Sequence, residues 1–168
     1  GMLRYGIPSY RFPREILDKE IESILSTGIE VKTGITVGSD VSFDELKNKY
    51  DALYIAIGAH TDKKTGIEGE NSEGVMSAVE MLRAIGDDSL PDFTGKEIVV
   101  IGGGNVAMDV CRSSVRLGAR KVSCVYRRRQ ADMTALPEEV EGAIAEGVEL
   151  VTLAAPVRTE ADENGRAT

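Results

Sequence analysis

Ile98-Val99-Val100-Ile101-Gly102-Gly103-Gly104-Asn105-Val106-Ala107-Met108-Asp109 is the stretch that decides the fold. The β-branched residues Ile98 to Ile101 read as a short buried strand. Gly102, Gly104 and Ala107 then match the pattern G-x-G-x-x-A. In that pattern the first glycine permits a tight turn off the strand, and the second lets the backbone approach a pyrophosphate. The small third residue lets a helix pack close to the strand. Val106, Val110, Ser114 and Leu117 recur at helical spacing, and Gly118 supplies a stop. The start of that helix offers unpaired amides and a positive dipole end to an anion. With a strand before it and a second strand after the helix, a weak motif becomes a dinucleotide-binding assignment. Gly102, Gly103, Gly104, Asn105, Val106 and Ala107 are therefore candidate cofactor-binding residues.

The second strand, Val122–Tyr126, bears on which nicotinamide cofactor is bound. An NAD site usually carries Asp or Glu about 20 residues beyond the glycines, accepting from the ribose 2′-hydroxyl. Here the strand runs instead into Arg127, Arg128 and Arg129. Guanidinium forks suit a 2′-phosphate, because they make bidentate, charge-assisted hydrogen bonds, each worth roughly 1.5–3 kcal/mol. Arg127 and Arg128 are the candidates for that role, and NADP(H) is the expected cofactor. No nucleophile–base pair or general acid–base constellation stands out, so no catalytic residue is nominated. That pattern fits hydride transfer, in which cofactors carry the chemistry and the protein positions them.

Outward from this core, Pro137-Glu138-Glu139 opens a further helix ending at Gly147, and Val148–Leu153 is the next strand. The order βαβαβ implies an α/β fold with a Rossmann-like parallel sheet. Toward the N-terminus, residues 3–13 read as an ordered loop. Pro13 marks a helix start, with Ile16, Ile21, Ile24 and Leu25 on its buried side and Gly28 as its stop. Short strands are expected within 29–37, and a fully buried strand over Ala52–Ile57. Ser42…Glu45 and Ser77…Glu80 match the capping box, in which a hydroxyl and a carboxylate satisfy orphan amides at a helix start. The glycine-rich stretch 58–74 separates two halves, 1–73 and 74–168.

Acidic residues outnumber basic ones, 28 to 20, for a formal net charge of −8. Nucleic-acid or anionic-membrane binding needs a broad basic field, so neither is expected. No apolar run approaches the roughly 18 residues of a membrane helix, and no signal architecture is present. A cytoplasmic location is the expectation. His60 is the single histidine, and Cys111 and Cys124 are the two cysteines, without C-x-x-C spacing. No metal or iron–sulfur site can be assembled from them, and both cysteines read as core residues.

Several motifs recur in order: YGIPSYRFP (5–13), DALYIAIGA (51–59), GIEGE (66–70), GGGNVAMD (102–109), RLGARKVSCVYRR (116–128) and ALPEEVEGAIAEGV (135–148). Together they resemble the small subunit of NADPH-dependent glutamate synthase. Related FAD-dependent pyridine nucleotide oxidoreductases include ferredoxin:NADP oxidoreductases and dihydropyrimidine dehydrogenase. The resemblance implies NADP(H) and FAD as cofactors, with electrons passing to a partner. It places Gly58 and Ala59 close to the flavin, and it makes 1–73 a partial FAD-domain segment and 74–168 an NADP(H)-binding domain. The family's N-terminal iron–sulfur cysteines and first FAD fingerprint are absent from this sequence, which reads as a fragment. FAD is thus expected in the full-length family context and not on this chain alone. Expected partners are NADP(H), a flavin or iron–sulfur chain or further domains, and a second copy in a homodimer. One alternative is a non-catalytic module that binds a nucleotide or a partner without holding FAD. A flavin-free NADP-dependent dehydrogenase is disfavoured, because no Tyr-x-x-x-Lys or general-base arrangement is present.

Overall fold

The computed structural model describes all residues, 1–168. In chain order its elements are helices α1 (Met2–Tyr5), α2 (Arg14–Leu25), α3 (Phe43–Lys49) and α4 (Ala78–Gly86), then strand β1 (Glu97–Ile101) and helix α5 (Asn105–Arg116). Strand β2 (Lys121–Tyr126), a 3-10 turn (Gln130–Asp132), helix α6 (Pro137–Ala145) and strand β3 (Glu149–Thr152) follow. They form two compact units, one of residues 1–12 with 60–168 and one of residues 13–59. No helix is long and apolar enough to cross a membrane.

In the larger unit the strands form a parallel sheet in the order β1-β2-β3. Val100 stands opposite Cys124, and Cys124 opposite Leu150. Parallel neighbours need a crossover, and α5 and α6 provide them. Helix α5 packs on β1 and β2 and against α4 and α6. Met108, Cys111, Val122 and Cys124 are almost completely enclosed in the core this makes. The α/β parallel sheet read from the sequence is present. Strand β1, expected to be buried throughout, alternates instead: Val100 is buried, whereas Val99 and Ile101 are 64% and 46% exposed. The crossover helices cover one face of the sheet, so alternate residues of β1 face away from them.

Glycines end the helices where the sequence placed them. Gly118 and Gly147 follow α5 and α6 with positive φ, the backbone of a helix stop. Pro137 occupies the first turn of α6, ahead of Glu138 and Glu139. The Ser77 hydroxyl accepts from the Glu80 amide at 3.2 Å and starts α4. Residues 3–13 are not loop throughout, because α1 makes one helical turn at their start and packs on α4.

The smaller unit departs more from the sequence reading. The capping box is complete at α3: the Glu45 amide donates to Ser42 Oγ, and the Ser42 amide donates to Glu45 Oε2. That amide holds the Glu45 carboxyl below the usual carboxylate range. The strands expected within 29–37 and over 52–57 do not form; a single bridge between Val37 and Val41 is the only pairing there. On α2, Leu17 is the buried residue, while Ile16, Ile21, Ile24 and Leu25 are exposed. Alternation and periodicity report which face a segment is suited to bury. A strand also needs neighbours to satisfy its backbone groups, and residues 13–59 contain no sheet to join.

Within the larger unit a chain of ion pairs fastens the N-terminal segment to α5. Arg11 Nη1 donates to both Asp109 oxygens at 2.9 Å, and its Nε lies 3.0 Å from Glu139. Arg112 donates to Glu139 and Glu146, and Arg116 also donates to Glu146. The Tyr10 ring lies 4.8 and 4.0 Å from the guanidinium carbons of Arg112 and Arg116. Its hydroxyl and that of Ser113 are both buried, and neither makes a hydrogen bond of good geometry. Burial raises the Asp109 carboxyl above its ordinary range, against the pull of Arg11. A carboxyl raised in this way favours the native state most below its unfolded pKa, and that contribution fades as pH rises through the folded value. Arg11→Met should therefore raise the Asp109 pKa further and cost on the order of 3 kcal/mol at neutral pH. The loss should shrink in acid, where the carboxyl is neutral. Carboxyl NMR titration and denaturant unfolding measure both effects, and an unmoved Asp109 titration would show that the pair is uncoupled.

Candidate dinucleotide-binding site

The three glycines after β1 are glycine for different reasons. The Gly102 amide donates to the Val125 carbonyl at 3.0 Å, extending the ladder by one residue. Its φ of 150° lies where L side chains are strained, and a β-carbon there would stand 3.3 Å from the Ala107 β-carbon. Gly103 is excluded from any other identity by packing. A β-carbon would lie 2.6 Å from the Tyr126 ring, and the Gly103 carbonyl accepts the amides of Thr134 and Ala135, both at 3.0 Å. Gly104 differs from both. Its φ of −103° suits any residue, and a β-carbon would meet nothing nearer than Thr134 Oγ1 at 3.4 Å. The fold places no demand for glycine at 104.

Gly104 caps α5, and the amides of Gly104, Asn105 and Val106 donate to no acceptor in the protein. These amides and the positive helix end form a site for negative charge. Asn105 is partly committed elsewhere, because its Oδ1 accepts the Leu136 amide at 2.9 Å. Val106 is exposed on the first turn, and Ala107 is buried beneath Gly102.

Beyond β2 the arginine run is divided. Arg129 forks onto Asp132, with Nε and Nη2 each 2.9 Å from a carboxylate oxygen. Arg129 in turn holds the Asp132 carboxyl below its usual range. The Tyr126 hydroxyl donates to the Asp132 carbonyl at 2.9 Å, which fixes the turn. Arg127 and Arg128 are exposed, and neither side chain makes a hydrogen bond or ion pair. The backbone beneath them is fixed, because Leu153 and Ala154 donate to the carbonyls of Arg128 and Tyr126.

The larger unit thus holds Gly102 to Ala107 together with Arg127 and Arg128. Gly58 and Ala59 lie in a different stretch: both are exposed, as are Tyr54, Ile55 and Ile57. Cys111 and Cys124 are free and fully buried. The Cys124 sulfur and burial together push the Cys111 thiol well above its ordinary range, so it stays protonated. Cys124 Sγ lies 3.3 Å from the Gly102 carbonyl. Sequence reasoning passed over Thr134, Asp132 and the Arg11–Asp109 pair. The first two sit on a loop without a motif, and the pair joins positions 98 apart. The only advance signal was Asp109, a charged residue among the apolar positions of α5.

Comparison with known proteins bears on the family and the fold. Over 150 residues the chain is 47% identical to the NADP(+)-dependent formate dehydrogenase subunit beta of Moorella thermoacetica, covering 88% of this chain and 21% of that subunit. It is 36% identical to the glutamate synthase [NADPH] small chain of Escherichia coli, covering 99% of this chain and 37% of that one. The chain therefore spans well under half the length of these relatives. The backbone superposes on Mycobacterium tuberculosis FprA in complex with NADPH with a TM-score of 0.73 at 20% identity, covering all of this chain and 57% of that one. At that identity the likeness concerns the fold. Residues 3–167 match the family model described as pyridine nucleotide-disulphide oxidoreductase. A parallel sheet, a glycine loop with free amides and a match over nearly the whole chain make this protein a member of the pyridine nucleotide-disulphide oxidoreductase family.

Proposed function

We propose that this chain is the NADP(H)-binding portion of a flavin-dependent oxidoreductase resembling the glutamate synthase small subunit. The observation that carries the reading is Gly104. Its backbone suits any residue and its surroundings admit a β-carbon, so its glycine identity answers to a ligand that must approach the backbone there. The diphosphate would lie against the amides of Gly104, Asn105 and Val106, with Gly102, Gly103 and Ala107 shaping the turn beneath it. Arg127 and Arg128 would take the 2′-phosphate, since their guanidinium groups are exposed and uncommitted while Arg129 is held by Asp132. Bound there, NADPH supplies a hydride; the protein's own part is to bind and orient it. On this reading residues 74–168 are the NADP(H)-binding part and 1–73 a partial FAD-domain segment, with Gly58 and Ala59 toward the flavin. Relatives named as enzyme subunits support a partner chain or further domains as the route for electrons.

The exposure of Tyr54, Ile55 and Ile57 favours one refinement. This chain by itself binds the nucleotide without holding FAD, because an open stretch offers no enclosure to offset the cost of immobilising so large a ligand. The open apolar residues Val99 and Ile101 on the sheet likewise favour self-association as a homodimer.

Calorimetric titration with NADP+ and NAD+ should show tighter binding of NADP+. Arg127→Ala with Arg128→Ala should lower NADP+ affinity by roughly tenfold or more and barely change NAD+. Gly104→Val should abolish binding of both while the melting temperature stays near that of the parent. Equal affinity for the two cofactors, or undiminished binding by the valine variant, would sink the assignment. The purified chain should show no flavin absorption, and a stoichiometric flavin spectrum would contradict the refinement. Sedimentation should give a dimer, and a monomer at high concentration would remove the homodimer from the reading.

A further inference from the structure

The loop after the arginines is laced onto the glycine loop by backbone and side-chain hydrogen bonds. The Thr134 and Ala135 amides share the Gly103 carbonyl, and the Leu136 amide is held by Asn105 Oδ1. Upstream, the Arg129–Asp132 fork and the Tyr126 hydroxyl fix the turn that delivers the loop. These bonds bring Thr134 Oγ1 to 3.4 Å from the position a β-carbon on Gly104 would occupy. Thr134 is exposed, and its hydroxyl makes no hydrogen bond in the protein. The backbone that carries it is pinned, while its polar end points to no partner.

From this geometry we infer that the Thr134 hydroxyl donates a hydrogen bond to the diphosphate of the bound dinucleotide. It acts as a side-chain donor beside the backbone amides of Gly104, Asn105 and Val106. The inference rests on the NADP(H) reading above and adds a binding residue from outside the glycine motif. A hydroxyl can rotate its hydrogen toward an anionic oxygen, and hydrogen bonds to charged groups are stronger than neutral ones. The diphosphate is common to both nicotinamide cofactors, whereas the 2′-phosphate is not. A contact to the diphosphate therefore changes both affinities by one factor and leaves their ratio alone. This separates the role of Thr134 from that of Arg127 and Arg128.

The test is calorimetric titration of the full chain and its Thr134→Val and Thr134→Ser variants with NADP+ and with NAD+, beside Gly104→Val. Thr134→Val keeps the shape and removes the hydroxyl. It should weaken both cofactors by the same factor, roughly tenfold, with an unchanged melting temperature, and Thr134→Ser should restore parental binding. Unchanged affinity in Thr134→Val overturns the proposal, as does a loss confined to NADP+, or a serine variant as weak as the valine one. If the parent binds, Gly104→Val abolishes binding and Thr134→Val binds as the parent does, the role of Thr134 falls and the NADP(H) reading stands. If the parent binds neither cofactor, both fall.

Discussion

The ring of Tyr126 occupies the place where any side chain on Gly103 would have to go, and the rest of the site is arranged around that contact. Because the ring lies against bare backbone, β2 and the loop after β1 approach closely. The Tyr126 hydroxyl then reaches the Asp132 carbonyl, and the chain beyond the arginines folds back onto the glycine loop. The Gly103 carbonyl receives two amides from that returning chain. One missing side chain thus fixes where the arginines leave the sheet and where Thr134 arrives. A methyl group at position 103 would have to displace the aromatic ring, and close-packed interiors do not absorb such overlap cheaply.

Legibility of the sequence followed the range of the interactions involved. Residues 97–152 were readable because their signals are local: β-branched runs for strands, helical spacing for α5, Pro137 to open α6, and Gly118 and Gly147 to close the helices. The G-x-G-x-x-A loop was readable as a motif, but its pattern did not show that the three glycines answer to three different constraints. The division among Arg127, Arg128 and Arg129 was also hidden, because it depends on Asp132 lying within reach of the last of them. Within residues 13–59 the helix starts at Pro13 and Ser42 were legible, but the strands and the buried face of α2 were misread, for a physical reason. Ala52–Ile57 has the composition of a buried strand and α2 has an apolar stripe, yet composition states only what a segment can bury. Whether it does so depends on a neighbouring layer, and that unit contains none.

The ion pairs around α5 follow a different logic. Asp109, Arg11, Glu139, Arg112, Glu146 and Arg116 alternate in sign, and each carboxylate among them is shared or doubly bonded. Partly buried charges are costly when alone and tolerable when every one has a partner. The arrangement therefore acts as a whole, tying residues 10 and 11 to α5 and α5 to α6. It explains why a segment more than ninety residues upstream in sequence belongs to the same compact unit as the glycine loop. It also keeps these basic groups occupied, whereas Arg127 and Arg128 are exposed and make no ion pair.

The sheet order has a consequence for how long the loop keeps its shape. Strand β1 lies at one margin of the sheet, with β2 as its single hydrogen-bonded neighbour, and the glycine loop springs directly from its end. A strand at a margin opens more readily than one held on both sides, because half of its backbone groups have no ladder to break. The placement of the loop's unpaired amides is therefore tied to one row of bonds, from Glu97 opposite Lys121 to Ile101 opposite Val125, with the Gly102 amide as its last rung. Fluctuations of that row set the lifetime of the loop's shape, and any ligand seated on the loop would lengthen it by favouring the closed row over the opened one.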